Sequence, residues 1–233
     1  MESSRKKENL SIAFRALTAA VPYIGGTINS LWTDIVAQRK EERFRELINS
    51  LELEINRIET INQTFVTHDD FLDLFENISR HVVNERDATK RSLYKNLILS
   101  SAKDRDANFD KTEKYIRLLD NISTIDSLIL KVFLNPKKFN EEIGTPIQSK
   151  NSGNSNFTHW ETTTVKELLT RLIPSVSLDD ILDSLDFLER NRLLITHNGE
   201  DSLNTNGNPI QLLENKITEK GKNFIKYITN ENY

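Results

Sequence analysis

The chain has 233 residues, of which 28% are charged and 37% hydrophobic, and its formal net charge at pH 7 is −4. This length permits one large domain or two small ones, and the composition is that of a globular protein. The absence of cysteine excludes a disulfide scaffold and a thiolate metal site, and the negative charge gives no electrostatic reason to expect nucleic-acid binding. We therefore expect a cytoplasmic protein, since the sequence also shows no secretory signal peptide.

The first apolar segment, residues 10–32, reads LSIAFRALTAAVPYIGGTINSLW. Its longest uncharged run, Ala16–Thr33, has 18 residues, which is the lower limit for a membrane-spanning helix. Pro22, Gly25 and Gly26 interrupt this run. The pattern therefore predicts two core helices that meet at a turn, and a membrane-inserting element is the alternative.

Residues 27–62 predict one long helix that contains a polar segment, QRKEERFRE. At 1.5 Å per residue it would be about 50 Å long, which is more than a compact domain of this size requires. The helix either spans its own bundle or reaches a partner, for which a second copy of the chain is a candidate. The apolar positions that recur with helical spacing are Ile28, Leu31, Ile35, Phe44, Leu47, Ile48, Leu51, Ile55 and Ile58.

Further helices follow along the chain. One is predicted to begin with a cap at Thr67 or Asp69, and the next passes through Leu93–Ile98 before a polar loop at residues 103–111. A single apolar stripe from Tyr115 to Phe133 predicts one more long helix.

The second half of the chain begins with the predicted long helix from Tyr115 to Phe133 and continues with a loop and a short helix. Residues 136–159 are rich in Asn, Ser, Lys and Gly and predict a mobile loop, after which Val165–Ile173 predicts a short helix. We therefore divide the chain into an N-terminal helical bundle, residues 1–110, and a second domain, residues 111–233.

The end of the chain predicts a helix, a hairpin and a last helix. Ser177 is a suitable N-cap for a helix that runs to Arg190, and Thr218 caps the final helix. Between these helices, two extended runs, Leu193–Thr196 and Ile210–Ile217, flank Asn-Gly turns. This order is typical of a winged helix. The fold class is therefore predicted to be mainly all-α, with one small β-hairpin in a winged-helix unit.

Four segments resemble the Abi-alpha family of bacterial abortive-infection proteins. They are residues 93–99 (LYKNLIL), 126–132 (DSLILKV), 185–194 (LDFLERNRLL) and 217–225 (ITEKGKNFI). The similarity covers about the last three fifths of the chain and consists of apolar spacing and one glycine. The resemblance implies a helical bundle with a winged helix and a role in phage defence, and it supplies no catalytic residues.

The sequence gives little support for catalysis. None of the four histidines is paired at metal-ligand or triad spacing, and no phosphate-binding loop or nucleophile elbow is present. Asp104–Tyr115 begins like a calcium loop but has Phe109 where the turn needs glycine. Asp201 with Glu214 and Lys216 follows the order of a metal-dependent nuclease without its sheet. We predict no enzymatic activity, no metal site and no cofactor.

Two binding functions remain for the winged helix. The helix from Ser177 to Arg190 would enter the DNA groove if the winged helix bound DNA, and its acidic side chains would then face phosphate and oppose binding. We therefore expect these residues to meet a protein partner; they are Asp179, Asp183, Asp186 and Glu189. For the alternative, a DNA-binding regulator, the candidate contacts are Lys166, Arg171, Arg190, Arg192 and Lys216.

The sequence thus favours a non-enzymatic protein that binds protein partners in phage defence and forms a homo-oligomer through the long helix. A DNA-binding regulator is the second hypothesis. A membrane-active effector that uses residues 10–32 is the third.

Overall fold

A computed structural model describes residues 31–55, 68–104, 109–143, 163–203 and 209–229. These residues are mainly helical, which confirms the predicted fold class. The helices are α1 (Leu31–Ile55), α2 (Asp69–Asn84), α3 (Ala88–Lys103), α4 (Phe109–Asn121), α5 (Thr124–Leu134), α6 (Pro136–Glu142), α7 (Val165–Leu172), α8 (Leu178–Arg190), α9 (Pro209–Leu212) and α10 (Glu219–Thr229). The two strands are β1 (Thr163–Thr164) and β2 (Ser202–Leu203), and a 3₁₀ turn covers Leu213–Asn215.

The chain forms two compact units. Unit 1 comprises residues 1–121 together with residues from Tyr227 onward, and unit 2 comprises residues 122–226. Unit 1 therefore contains α1–α4 and the end of α10, whereas unit 2 contains α5–α9, both strands and the rest of α10. The division into residues 1–110 and 111–233 stays a prediction from the sequence.

Helix α1 covers the central part of the predicted long helix. Leu47 and Leu51 are 4% and 0% exposed, so their apolar side chains pack inside unit 1, while Val36 remains about half exposed. The flanking parts of the prediction, residues 27–30 and 56–62, lie outside the described residues. The apolar residues Leu47 and Leu51 are therefore explained by packing within unit 1, without a partner chain.

Helix α2 is capped by His68, so both Thr67 and Asp69 were wrong predictions for this position. The Nδ1 atom of His68 accepts a hydrogen bond of 3.2 Å from the backbone N–H of Asp70. The ring nitrogen thus takes the place of a cap oxygen. Asp69 and Asp70 then lie in the first turn, where the helix dipole favours negative charge.

The predicted long helix from Tyr115 to Phe133 is two helices, α4 and α5. The Ser123 hydroxyl accepts from the backbone N–H of Asp126 at 3.0 Å, and the Asp126 carboxylate accepts from the backbone N–H of Ser123 at 2.6 Å. This capping box starts α5. Ile122 is 2% exposed at the break. The apolar pattern therefore continues across the break between the two helices.

Parts of two predicted loops are helical in the structure. Asn135 caps α6 by accepting from the backbone N–H of Lys138 at 3.1 Å, and Pro136 occupies the first helical turn, where its missing N–H costs nothing. The predicted mobile loop was therefore wrong for residues 136–142, and most of its remainder lies outside the described residues. In the predicted loop 103–111, Lys103 and residues 109–111 are helical.

The predicted hairpin between Leu193 and Ile217 forms in part. Leu194 and Ile217 make an antiparallel bridge, and the backbone N–H of Ile195 donates to the carbonyl of Lys216 at 2.8 Å. The extended run predicted for Ile210–Lys216 was wrong, because α9 and the 3₁₀ turn occupy most of it. Strand β2 pairs with β1 in antiparallel register. The winged-helix assignment therefore stays a prediction.

The end of α10 is attached to unit 1 by hydrogen bonds. The Ser100 hydroxyl donates to the carbonyl of Tyr227 at 2.6 Å, and the Tyr227 hydroxyl donates to Ser101 Oγ at 3.3 Å. The rings of Tyr227 and Tyr115 lie 5.0 Å apart. Residues 227–229 are thus an integral part of unit 1.

Candidate partner-binding surface of unit 2

Helix α8 ends in a left-handed residue that is not glycine. The backbone N–H of Leu193 donates to the carbonyl of Leu188, and that of Arg192 donates to the carbonyl of Glu189, both at 2.8 Å. These bonds form a Schellman motif, whose left-handed position is usually glycine. Arg192 occupies it with φ 58°. An exposed arginine therefore occupies a position where its backbone is strained.

The next turn, residues 196–201, has three consecutive residues with positive φ. They are His197 (46°), Asn198 (55°) and Gly199 (80°). A Cβ at Gly199 would lie 2.9 Å from Leu185 Cδ1 and 3.0 Å from Lys166 Cβ. Glycine is therefore needed there for its conformation and for its small size.

The carboxylate of Glu189 holds this turn from α8. It accepts from the backbone N–H groups of Thr196 and Asn198, the latter at 2.8 Å. Burial raises the pKa of Glu189, but these backbone donors outweigh burial and bring the pKa below its ordinary value. Although Glu189 was predicted to contact a partner, its carboxylate is committed to the fold of unit 2.

Helix α7 holds the same turn from the other side. The backbone N–H of Val165 donates to the carbonyl of Asp201, and that of Lys166 donates to the carbonyl of Gly199, both at 3.1 Å. Both donors belong to the first turn of α7, whose N–H groups have no partner within the helix. The backbone of the turn is thus bonded to two helices, to the backbone of α7 and to the Glu189 side chain of α8.

Ion pairs within unit 2 involve most of the cations proposed for DNA. Lys166 pairs with Glu200, and Lys216 Nζ lies 2.6 Å from Asp201 Oδ2. Asp201 also lies 2.6 Å from His197 Nδ1. Burial raises the pKa of Asp201, and the hydrogen bonds from Lys216 and His197 lower it to a net value below the ordinary range. These side chains stabilise the turn.

One face of α8 carries exposed carboxylates. Asp179, Asp183 and Asp186 are all exposed, and their spacing of four and three residues puts them on the same side of the helix. One turn further along the helix, Arg190 Nη2 lies 2.6 Å from Asp186 Oδ2. We call Asp179, Asp183 and Asp186 the acidic face. It presents negative charge to solvent.

The structure thus separates the predicted site residues into groups. Asp179 and Asp183 of the acidic face are available to a partner, whereas Asp186 is paired with Arg190. Glu189, Lys166 and Lys216 are engaged within unit 2. Arg171 and Arg192 are exposed. The predicted turn or membrane element lies outside the described residues; its members are Pro22, Gly25 and Gly26.

Among the residues that the structure describes, the carboxylates considered for a metal ion in the sequence analysis do not form a site. No group of three histidine or carboxylate side chains there could hold a metal ion. Of the nuclease-like set, Asp201 and Lys216 pair with each other, while Glu214 is exposed in the 3₁₀ turn. Among the described helices, none combines the length and the apolar character that crossing a membrane requires.

Sequence reasoning missed the residues that hold the turn, chiefly Thr196 and Glu200. Thr196 is fully buried, and its hydroxyl accepts from the backbone N–H of Gly199 at 3.3 Å. The signal in the sequence was the Asn-Gly dipeptide at 198–199, which predicts a turn but not the helices that it contacts.

Comparison with protein-family models, with curated proteins and with solved structures finds no match for this chain.

Proposed function

We propose that unit 2 binds a basic surface of a partner protein through its acidic face, as a non-enzymatic component of bacterial phage defence in the cytoplasm. The observation that carries the proposal is the contrast within unit 2. Asp179 and Asp183 are exposed, while Lys166 and Lys216 are neutralised by nearby carboxylates. The role in defence rests on the resemblance to the Abi-alpha family.

Charge explains why protein is the favoured partner. DNA binding depends on cations that neutralise phosphates and release counterions. Arg190 pairs with Asp186 on the acidic face, so its charge is partly neutralised before any ligand arrives. A partner that presents Lys or Arg to the acidic face would gain favourable electrostatic contacts and faster association.

Charge removal on the acidic face tests this proposal. The triple variant Asp179→Asn, Asp183→Asn and Asp186→Asn should lose phage protection in a plating assay. It should also lose the crosslinks made by a photoreactive residue at position 182, next to this face. The matched control is the same charge change on exposed positions of α1: Glu41→Gln, Glu42→Gln and Glu52→Gln. Equal protection by the triple variant and the wild type would contradict the proposal.

A DNA-binding regulator is the second candidate, and Arg192 is the observation that favours it. An exposed arginine in a strained left-handed conformation is typical of a position selected for function. Under our proposal, fluorescence anisotropy at about 0.15 M salt should give duplex binding no tighter than the nonspecific range of about 10⁻⁴–10⁻⁶ M. A submicromolar complex that is lost in Arg190→Ala with Arg192→Ala would overturn the protein-contact proposal.

The third hypothesis is membrane activity of residues 10–32. Only Leu31 and Trp32 of this segment belong to the described residues. Leakage of dye from anionic liposomes measures it directly. Leakage that disappears on deletion of residues 10–30 would favour this hypothesis over the other two.

A further inference from the structure

The turn at residues 196–201 contains an Asn-Gly dipeptide whose two residues can react with each other. The side chain of Asn198 is exposed, and Gly199 follows it in the chain. Asparagine is thermolabile because the backbone nitrogen of the next residue can attack its side-chain carbonyl carbon. Glycine in that next position hinders the attack least, since it has no Cβ. Asn198 is therefore a chemical candidate for deamidation.

The reaction needs water as its co-reactant and involves no oxidation or reduction. The Gly199 nitrogen loses its hydrogen to solvent and forms a bond to Asn198 Cγ, and the bond between Cγ and Nδ2 breaks. Nδ2 takes up a proton from solvent and leaves as ammonia, so a cyclic succinimide remains. Water then opens this ring at either carbonyl. Opening at Cγ gives aspartate, whereas opening at the main-chain carbonyl gives isoaspartate, whose main chain contains an additional carbon.

The closed turn engages the nitrogen that must attack. The backbone N–H of Gly199 donates to the carbonyl of Thr196 at 3.0 Å and to Thr196 Oγ1 at 3.3 Å. Thr196 is fully buried, so these acceptors are shielded from solvent. The attack requires the nitrogen to lose this hydrogen and to turn toward the Asn198 side chain. Both hydrogen bonds to Thr196 must therefore break before the ring can close.

The peptide groups on both sides of this nitrogen are also held. The backbone N–H of Asn198 donates to Glu189 Oε2 at 2.8 Å, and the carbonyl of Gly199 accepts from the backbone N–H of Lys166 at 3.1 Å. A Cβ at Gly199 would lie 2.9 Å from Leu185 Cδ1, so Gly199 is closely packed. The peptide between Asn198 and Gly199 therefore has no room to rotate in place, and ring closure requires the turn to open.

We propose that Asn198 is a deamidation site that reacts only when the turn at residues 196–201 opens. This opening is a local unfolding event, in which the turn separates from α7 and α8. Isoaspartate lengthens the main chain within the turn, so the hydrogen bonds to Glu189 and Lys166 no longer re-form together. An opening that ends in deamidation thus alters the turn permanently. The site is separate from the acidic face and does not depend on the proposed function.

The test compares the full-length protein in native buffer and in urea at the same pH and temperature. Peptide mapping by mass spectrometry measures deamidation at Asn198, and cleavage after Glu200 separates this residue from the second Asn-Gly dipeptide, Asn206-Gly207. In urea, Asn198 should deamidate as fast as in an unstructured peptide of the same sequence. In native buffer the rate should be at least about tenfold lower, because only the open fraction reacts. Equal rates in the two conditions, or no reaction in urea, would overturn the proposal.

Two variants and a matched control test whether the contacts of the turn set the rate. Thr196→Val removes the Oγ1 acceptor, and Glu189→Gln removes the charge that holds the backbone N–H of Asn198. Each should accelerate deamidation in native buffer about fivefold or more, since a lost hydrogen-bond acceptor favours the open turn. Glu214→Gln is the control, because Glu214 is exposed outside the turn, and it should react at the wild-type rate. Wild-type rates in both turn variants, or an equal acceleration in the control, would refute the role of the turn.

Far-UV circular dichroism establishes that each variant retains its helices, and hydrogen exchange gives a readout that needs no variant. The backbone N–H of Lys166 donates to the carbonyl of Gly199, so its protection should fall in deamidated wild-type protein isolated by ion exchange. Backbone N–H groups of unit 1 should keep their protection. Unchanged protection of the Lys166 N–H would contradict the expected change in the turn.

Discussion

Gly221 in α10 lies against the backbone of Leu193. Its replacement by alanine should lower stability through steric overlap although alanine has the higher helix propensity, so the two effects have opposite signs. A Cβ at this position would overlap the carbonyl oxygen of Leu193 and would lie 2.9 Å from Ile217 Cγ1. The same carbonyl accepts from the backbone N–H and the hydroxyl of Thr218, at 3.0 and 3.1 Å. Any movement that relieves the overlap therefore stretches these two bonds.

The expected magnitude follows from these contacts. Alanine gains up to about 1 kcal/mol of helix propensity over glycine. Overpacking costs about 1–3 kcal/mol, and each weakened hydrogen bond costs up to about 0.5–1.5 kcal/mol. The net expectation for Gly221→Ala is a loss of about 3 kcal/mol, or roughly 10 °C or more in the Tm of a unit this size.

Thermal unfolding followed by far-UV circular dichroism measures this loss. Asn223→Ala is the control, since Asn223 is exposed on the same helix and its replacement should stabilise by a few tenths of a kcal/mol through propensity alone. If Gly221→Ala were as stable as the wild type, the close approach of α10 to Leu193 would be refuted.

Three further changes have defined outcomes. Glu189→Gln should destabilise unit 2 by about 1–2 kcal/mol at neutral pH. Because folding lowers the pKa of Glu189, its ionised carboxylate stabilises unit 2 at pH values above the pKa of the unfolded state. This stabilisation is lost as the pH falls through the pKa of the folded state. The free energy of unfolding of Glu189→Gln, measured in urea, should lack this pH dependence. Arg192→Gly should stabilise by about 0.5–1 kcal/mol in urea unfolding, since glycine relieves the left-handed strain; a loss would show that the Arg192 side chain contributes contacts. Leu51→Ala should cost about 2–5 kcal/mol because Leu51 is fully buried. Self-association through α1 is measured separately by sedimentation, and a monomer at all concentrations would exclude it.

The sequence predicts best what depends on neighbouring residues. Ser177 accepts from the backbone N–H of Asp180 at 3.1 Å, and Thr218 accepts from that of Gly221 at 2.9 Å, so both predicted caps are confirmed. Each cap involves residues three positions apart, and a hydroxyl at that spacing is visible in one line of sequence. The cap at His68 was not predicted, because histidine is rarely an N-cap residue.

Contacts between distant residues could not be predicted from one sequence. Lys166 and Glu200 are 34 residues apart, and Tyr94 and Asp120 are 26 apart, so no local pattern relates them. The break at Ser123 was hidden for another reason. Ile122 is buried at the junction, so the apolar spacing of two helices reads as one.

The attachment of Tyr227 to unit 1 has a consequence for chain entropy. The Ser100–Tyr227 hydrogen bond joins residues 127 positions apart, and unit 2 lies between them. Closing a flexible loop of that length costs about 4 kcal/mol of chain entropy, apart from a constant term. A folded unit 2 replaces most of this loop with a body whose two ends are fixed, and the closure cost falls accordingly. The stability of unit 2 therefore contributes to the stability of the Tyr227 contacts through connectivity alone, and a mutation that unfolds unit 2 should loosen the end of α10 as well.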